Sequence, residues 1–308
     1  MSNQTSLISR FAPSPTGHLH LGHVISALYV WGISKALNAQ IILRIEDHDQ
    51  LRCKLEYEES ILTDLEWLGL IPDDGVSSHG APSKYRQSDN LDSYQSSLEV
   101  LRANDLVYGC GCSRKDLKAR LPTMPQGDEL VYDSFCRRRN IDDNDSKRLR
   151  LVVTEQNFSF IDGIEGKQIQ SPVSQCGDFL IRDNNNQLTY QYTCSVDDLK
   201  QGINLIIRGQ DLIDSTGRQM YLMDTLTPNR HSIDYYHHPL IYDNLGSKLS
   251  KQAFSEPIKN MREQGVSSRQ IIGEAFRQLN ISQISEKPSP SELEAYFCSI
   301  TSTNDDGR

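Results

Sequence analysis

Residues 7 to 28 confine the start of this chain to one local geometry, a strand that turns sharply into a helix. Leu7-Ile8-Ser9-Arg10-Phe11 is short and mixed in polarity, fit for a strand, and Pro13, Pro15 and Gly17 break it with a turn. From Leu21 onward Val24, Ile25 and Leu28 recur at i, i+3, i+4 and i+7, the spacing of one buried helical face. His20 and His23 are therefore expected at the helix N-terminus, where free backbone N–H groups and the dipole favour an anion such as phosphate. Gly22 lies between them and would let the backbone come close to such a ligand. Taken alone, the His-x-Gly-His turn also reads as a helix cap with no ligand.

Strand and helix candidates alternate from residue 7 to about 105, with helices expected over Leu55 to Leu68 and Leu91 to Leu101. That alternation predicts a doubly wound α/β sheet. Residues 106–150, rich in cysteine, proline and charge, interrupt it. Strands resume near Arg150, and Ile203 to Leu226 reads as a strand followed by a helix. Ser268 to Leu279 carries Ile271, Ile272, Ala275, Phe276 and Leu279 on one amphipathic stripe. The last ~28 residues are polar, and their end is expected to be poorly ordered.

Charged residues stand at strand ends, where open parallel sheets bind their ligands. Gln40 to Arg44 is an apolar strand candidate running into Ile45-Glu46-Asp47, and Glu46 there suits an ammonium group. Its plainer reading is a carboxylate paired with Arg44 or Arg52. Arg208 ends the Ile203 to Ile207 strand in the same way, and a guanidinium fork is the fitting partner for a carboxylate. Gln187 to Val196 reads as the second arm of a hairpin turned by Asn184-Asn185-Asn186, with Tyr190 and Tyr192 on one face.

The chain has seven cysteines, and an odd number without a signal peptide argues against a disulfide framework. Cys110-Gly111-Cys112 is followed by Tyr132-Asp133-Ser134-Phe135-Cys136. Three thiols are one short of the usual four ligands of structural zinc, and no histidine lies between positions 80 and 230, which leaves Tyr132 and Asp133 as local candidates. Cys53, Cys176, Cys194 and Cys298 are expected to be buried neutral thiols.

Three features together carry a resemblance: the Arg10-Phe11-Ala12-Pro13-Ser14 and His20 to His23 stretch, Arg44-Ile45-Glu46-Asp47, and Lys248-Leu249-Ser250-Lys251-Gln252. In this order they resemble the class I aminoacyl-tRNA synthetases, specifically the glutamyl branch. The resemblance covers roughly residues 8–255. It implies a Rossmann-like parallel sheet with a small zinc-bearing insertion and a short C-terminal helical region. It also implies ATP and Mg²⁺ held with help from His20, Gly22, His23, Lys248 and Lys251, and glutamate held by Arg10 to Ser14, Glu46, Tyr190 and Arg208. The shortened relatives that modify queuosine in tRNA carry Cys-x-Cys and Tyr-x-x-x-Cys as a zinc set. Cys110, Cys112, Tyr132 and Cys136 match it, implying one structural Zn²⁺ per chain.

The organisation expected on that basis is a catalytic domain in two halves, 1–105 and 151–240, split by the insertion 106–150. Residues 241–308 follow as a lysine loop and short helical region. Only 57 residues follow Lys251, too few for a helical anticodon-reading domain. The implied activity is tRNA-independent activation of L-glutamate and its transfer to queuosine at the first anticodon position of tRNA(Asp). A compact synthetase charging the tRNA 3′ end, a small-molecule nucleotidyltransferase and a zinc-stabilised RNA-binding module are the alternatives.

The net charge of −9 constrains RNA binding only on average, because basic stretches remain at Arg137 to Arg139, Lys147 to Arg150 and Lys248 to Lys251. No apolar run approaches the ~20 residues of a membrane span, and Met1 to Ser9 lack signal-peptide character, so a cytoplasmic location is expected; a monomer is the expected state.

Overall fold

The computed structural model describes residues 6–120, 130–139, 141, 146–228, 232–241 and 256–302. Its strands are β1 (Ile8–Phe11), β2 (Gln40–Leu43), β3 (Asp74–Gly75), β4 (Val107–Cys110), β5 (Arg148–Leu151), β6 (Phe158–Asp162), β7 (Gly166–Gln170), β8 (Leu180–Arg182), β9 (Leu205–Gly209) and β10 (Asp234–His238). Its α-helices are α1 (Leu21–Ala36), α2 (Leu55–Leu68), α3 (Leu91–Ala103), α4 (Arg114–Arg120), α5 (Pro172–Gln175), α6 (Tyr190–Lys200), α7 (Thr216–Leu226), α8 (Ile258–Glu263), α9 (Ser268–Gln278) and α10 (Pro290–Ser302).

Two parallel sets of strands meet edge to edge. β1, β2 and β3 lie in that order, and β9, β10 and β6 form the second set, with β7 antiparallel beyond β6. Asn204, just before β9, joins them: its N–H donates to the Ile8 carbonyl at 3.1 Å, and its side-chain oxygen accepts from Ile8 at 2.7 Å. The strand order therefore reverses between β1 and β9, where doubly wound sheets open a ligand crevice. A separate antiparallel sheet runs β4-β5-β8.

Helix α1 is the centre of the larger core. Val24, Ile25, Leu28, Tyr29 and Ile33 are buried, and they share that core with β1, β2, β9 and the C-terminal helices. The expected C-terminal helical region forms, while residues 303–308, where poor order is expected, lie outside the described residues. Residues 290–302 form α10, whose Leu293, Tyr296, Phe297 and Ile300 pack on α1 and α9. The close approach depends on Gly32, where a Cβ would sit inside the Phe297 ring.

A correction concerns residues 187–196. The turn at 183–187 forms, but the returning arm is a single antiparallel bridge from Leu188 to Arg182, and Tyr190 already starts α6. Tyr190 and Tyr192 consequently lie on different sides of a helix. Tyr192 is buried in the second core, its hydroxyl donating to the Tyr94 carbonyl at 2.7 Å. No helix among the described residues is long and apolar enough to cross a membrane.

Candidate active site and metal centre

At the carboxyl ends of β1 and β9, facing the start of α1, opens a cleft of about 560 Å³. Arg10, Phe11, Ala12, Pro13, His20, Gly22, His23, Glu46, Tyr190 and Arg208 all line it. Ser14 does not; it is exposed, with its hydroxyl 3.8 Å from the Cys53 sulfur. Lys248 and Lys251 lie outside the described residues.

Both histidines do cap the helix, yet capping leaves each with a ring donor. His20 Nδ1 accepts from the Gly22 N–H at 3.1 Å, and His23 Nδ1 accepts from the His20 N–H at 3.2 Å. An imidazole nitrogen that accepts a backbone N–H keeps the ring proton on Nε2. Gly22 has a second use beside the one its sequence suggests. A Cβ there would lie 3.0 Å from the folded-back His20 ring, so the glycine makes room for the cap.

Opposite the histidines lies a buried charge network. Arg10 donates to both oxygens of Asp198, at 3.0 Å from Nε and 3.3 Å from Nη2. Arg44 donates to the same carboxylate at 2.7 Å and to Glu46 at 3.1 Å. Burial works to raise Asp198, but the two guanidiniums outweigh it and hold the carboxyl at about 2. Burial instead pushes neighbouring Asp197 up to about 6 and the Cys194 thiol up to about 12. Glu46 is thus both the ion-paired carboxylate and a cleft residue. Tyr190, its phenol pushed up by burial, adds a neutral hydroxyl to the lining.

Arg208 is the exception in its pairing. It is buried at 6% exposure, and its partners are His237 (3.0 Å), Gln219 (2.6 Å) and Thr216 (2.8 Å), none of them a carboxylate. A buried cation held only by neutral acceptors keeps its charge for an incoming anion. On the other side of the cleft, Ser26 meets His238 Nε2 at 2.8 Å, and burial lowers that imidazole to about 4, so it is neutral near pH 7.

The cysteine motif closes on itself. Cys110, Cys112 and Cys136 bring their sulfurs within 4.8 Å of one another. The Tyr132 hydroxyl lies 3.6 Å from the Cys110 sulfur and 3.7 Å from that of Cys112, and accepts the Cys136 N–H at 2.9 Å. Asp133 turns away, its carboxylate forked by Arg120 at 3.0 Å on both oxygens. Burial pushes the Cys112 thiol and Tyr132 phenol up, whereas for Cys136 burial is outweighed by hydrogen bonds with Tyr132 and Cys112 that bring the thiol down; ionising the first two calls for compensating positive charge, which a divalent cation supplies. Arg150 contributes some, with its guanidinium 3.5 Å over the Tyr132 ring and Nε 3.2 Å from the Cys110 sulfur. Three soft donors and an oxygen at these separations suit a tetrahedral zinc site.

Residues 6–298 match the family described as tRNA synthetases class I (E and Q), catalytic domain. The chain belongs to this family. It is 35% identical over 272 residues to the glutamyl-Q tRNA(Asp) synthetase of Nitratidesulfovibrio vulgaris, covering 86% of this chain and 83% of the relative. It is 31% identical to glutamate–tRNA ligase 1 of Petrotoga mobilis, covering 91% of this chain but 61% of that protein. Among solved structures, the glutamate-tRNA synthetase of Elizabethkingia anophelis superposes with a TM-score of 0.74 at 25% identity; the match covers 94% of this chain and spans about two-thirds (65%) of that one.

For this synthetase-family chain, the cleft gathers most residues that sequence patterns single out. Three residues that they miss belong with it: His238, which lines the cleft, and Asp198 and His237, which stand behind it bonded to Arg10 and Arg208. Only an Asp197-Asp198 pair at the end of an apolar stretch, and His237-His238 in a strand, hint at them. The remaining thiols are mixed, with Cys176 and Cys194 buried, Cys53 half-buried and Cys298 exposed, contrary to a uniformly buried set. Arg137 to Arg139 form an exposed single turn, whereas Arg150 is buried against Tyr132.

Proposed function

We propose that this chain condenses L-glutamate with ATP to glutamyl adenylate and pyrophosphate without needing tRNA. A hydroxyl of queuosine, at the first anticodon position of tRNA(Asp), then takes the glutamyl group and releases AMP. The observation that carries the amino-acid part is Arg208, a buried guanidinium on the cleft with no carboxylate partner among the described residues. In this reading Arg208 receives the substrate carboxylate, with Glu46 and Tyr190 beside the rest of the amino acid and Arg10 to Ser14 forming the adjoining wall. His20 and His23 meet the phosphates at the start of α1. Lys248 and Lys251 follow the charge onto pyrophosphate with Mg²⁺, since donors aimed at developing phosphate charge lower the barrier.

Cys110, Cys112, Tyr132 and Cys136 would hold one Zn²⁺. Four protein ligands leave no open position, so the ion would be structural, cross-linking the 106–150 insertion that separates catalytic halves 1–105 and 151–240. The queuosine step is supported by relatives named for it at 35% and 33% identity and by the match of this ligand set. The enzyme acts in the cytoplasm as a monomer.

The deciding experiment supplies labelled glutamate and ATP to tRNA(Asp) that carries queuosine but lacks its 3′-terminal adenosine. Label on that RNA, absent when guanosine replaces queuosine, is the expected result. Label only on intact tRNA refutes base modification and makes the protein a compact 3′-end synthetase.

A further inference from the structure

Three neighbouring strands end in a row of buried polar side chains of which the activation reading uses only Arg208. Asp162 ends β6, His237 lies on β10 between them, and Arg208 lies on β9 directly across from His237 in register. All three are buried, His237 completely. His237 Nδ1 meets Asp162 Oδ2 at 2.6 Å, and Arg208 Nε donates to His237 Nε2 at 3.0 Å. The opposite Asp162 oxygen is fixed by three backbone N–H groups, those of His237, Ile164 and Glu165, at 3.2, 3.0 and 2.9 Å.

These contacts determine the tautomer. Arginine does not give up its proton, so Nε2 must be the bare nitrogen and Nδ1 must carry the hydrogen. Thr216 agrees with this. Its hydroxyl accepts from Arg208 Nη2 at 2.8 Å and lies 3.3 Å from His237 Nε2, toward which its own proton can point. Burial lowers His237 below its ordinary value, and the like charges of Arg208 and Arg10 act in the same direction, against Asp162. The other groups beside the ring are Tyr235, stacked at 6.3 Å, and neutral His238.

A direct Asp162 to Arg208 pair would neutralise the guanidinium, as Asp198 does for Arg10. An imidazole placed between them orients Arg208 without quenching it, and three bonds to neutral acceptors leave two of its five N–H groups for a ligand. We infer that His237, locked by Asp162 as the neutral Nδ1–H tautomer, is a positioning residue that aims Arg208 at the substrate carboxylate and preserves its charge. This inference rests on the reading of Arg208 as the glutamate-carboxylate residue. Asp162→Asn would let the amide donate to Nδ1 and move the ring proton to Nε2, where it would face the Arg208 donor.

Glutamate-dependent ATP–pyrophosphate exchange on the full chain tests it through the Michaelis constants. His237→Leu and Asp162→Asn should each raise KM for glutamate about 10- to 100-fold, the worth of a hydrogen bond to a charged group. KM for ATP should stay within about twofold. His237→Gln, which restores an acceptor near Nε2, should recover most of the loss. Folded Leu and Asn variants with unchanged glutamate KM overturn the positioning role. Arg208→Gln separates the two claims: if it too leaves glutamate KM unchanged, the carboxylate reading itself fails. Should His237→Leu not fold, long-range ¹⁵N–¹H correlation of the wild-type imidazoles decides. A neutral ring protonated at Nδ1 is expected, and protonation at Nε2 or at both nitrogens overturns the proposal.

Discussion

Replacing Asp198 by asparagine removes one negative charge from a place where two buried guanidiniums share it. Arg10 and Arg44 are 4% and 0% exposed, and Asp198 is 1% exposed, so solvent screens none of these contacts. The carboxyl stands at about 2 in the fold against an ordinary 3.8. Each unit of depression is worth 1.36 kcal/mol, so its ionisation contributes roughly 2 kcal/mol at neutral pH. Because the folded value is the lower one, that contribution is present in full above about pH 4 and is lost as pH falls toward 2. The substitution also leaves Glu46 as the nearest counter-charge for Arg44 and none bonded to Arg10 among the described residues. Stranding a buried charge typically costs 3–5 kcal/mol, so we expect a total loss of ~3–5 kcal/mol at pH 7. Urea unfolding followed by far-ultraviolet circular dichroism at pH 7, 4 and 2.5 measures it. The gap between the two proteins should be widest at pH 7 and shrink by ~2 kcal/mol or less at pH 2.5. A loss below 1 kcal/mol at pH 7, or a gap that does not narrow in acid, refutes the argument.

Elemental analysis of the purified protein should find about one zinc per chain. Cys136→Ser should lower that content and bring the melting temperature down by roughly 5–10 °C, and a metal-free chain with an unchanged melt sinks the site. In the C-terminal region, Phe297→Ala should cost ~3–5 kcal/mol by opening a cavity between α1 and α10, and Gly32→Ala ~1–3 kcal/mol by driving a methyl into the ring. Chemical denaturation reads both, and a neutral Gly32→Ala would mean that α10 does not dock on α1 as described.

Much of the first sheet half is legible because each strand is cut off by breakers and each helix shows one apolar stripe, as in α1 and α2. Helix α6 is not legible in that way. Tyr190, Tyr192, Thr193 and Val196 are β-formers in near alternation, and local preference favours a strand. Tertiary contacts decide otherwise. As a helix the segment sends Cys194 and Asp198, four residues apart, toward Arg10 and Arg44, while Tyr192 and Val196 enter the second core. As a strand it would turn Asp197 and Asp198 to opposite faces, and only one could reach the arginines. The proposed zinc ligands show the converse case. Spacing groups the thiols but leaves Tyr132 and Asp133 equal; the structure separates them because Ser134, at φ 54°, folds the loop so that the Cys136 N–H meets the Tyr132 hydroxyl.

The site's charges follow the same logic and change what the sequence alone suggests about substrate choice. Arg10 and Arg208 each stand at a strand end, and read singly each is a cation ready for a carboxylate. In the fold they are not equivalent. Arg10 is already forked by Asp198, whose low value keeps it ionised at any pH at which the protein works, so that pair presents little net charge to the cleft. Arg208 is met only by His237, Gln219 and Thr216. On the proposed reading, selection for an acidic side chain over its neutral amide falls on Arg208. A substrate with an amide in place of the carboxylate would leave a buried cation uncompensated, a penalty that a hydrogen bond to Arg10 cannot offset.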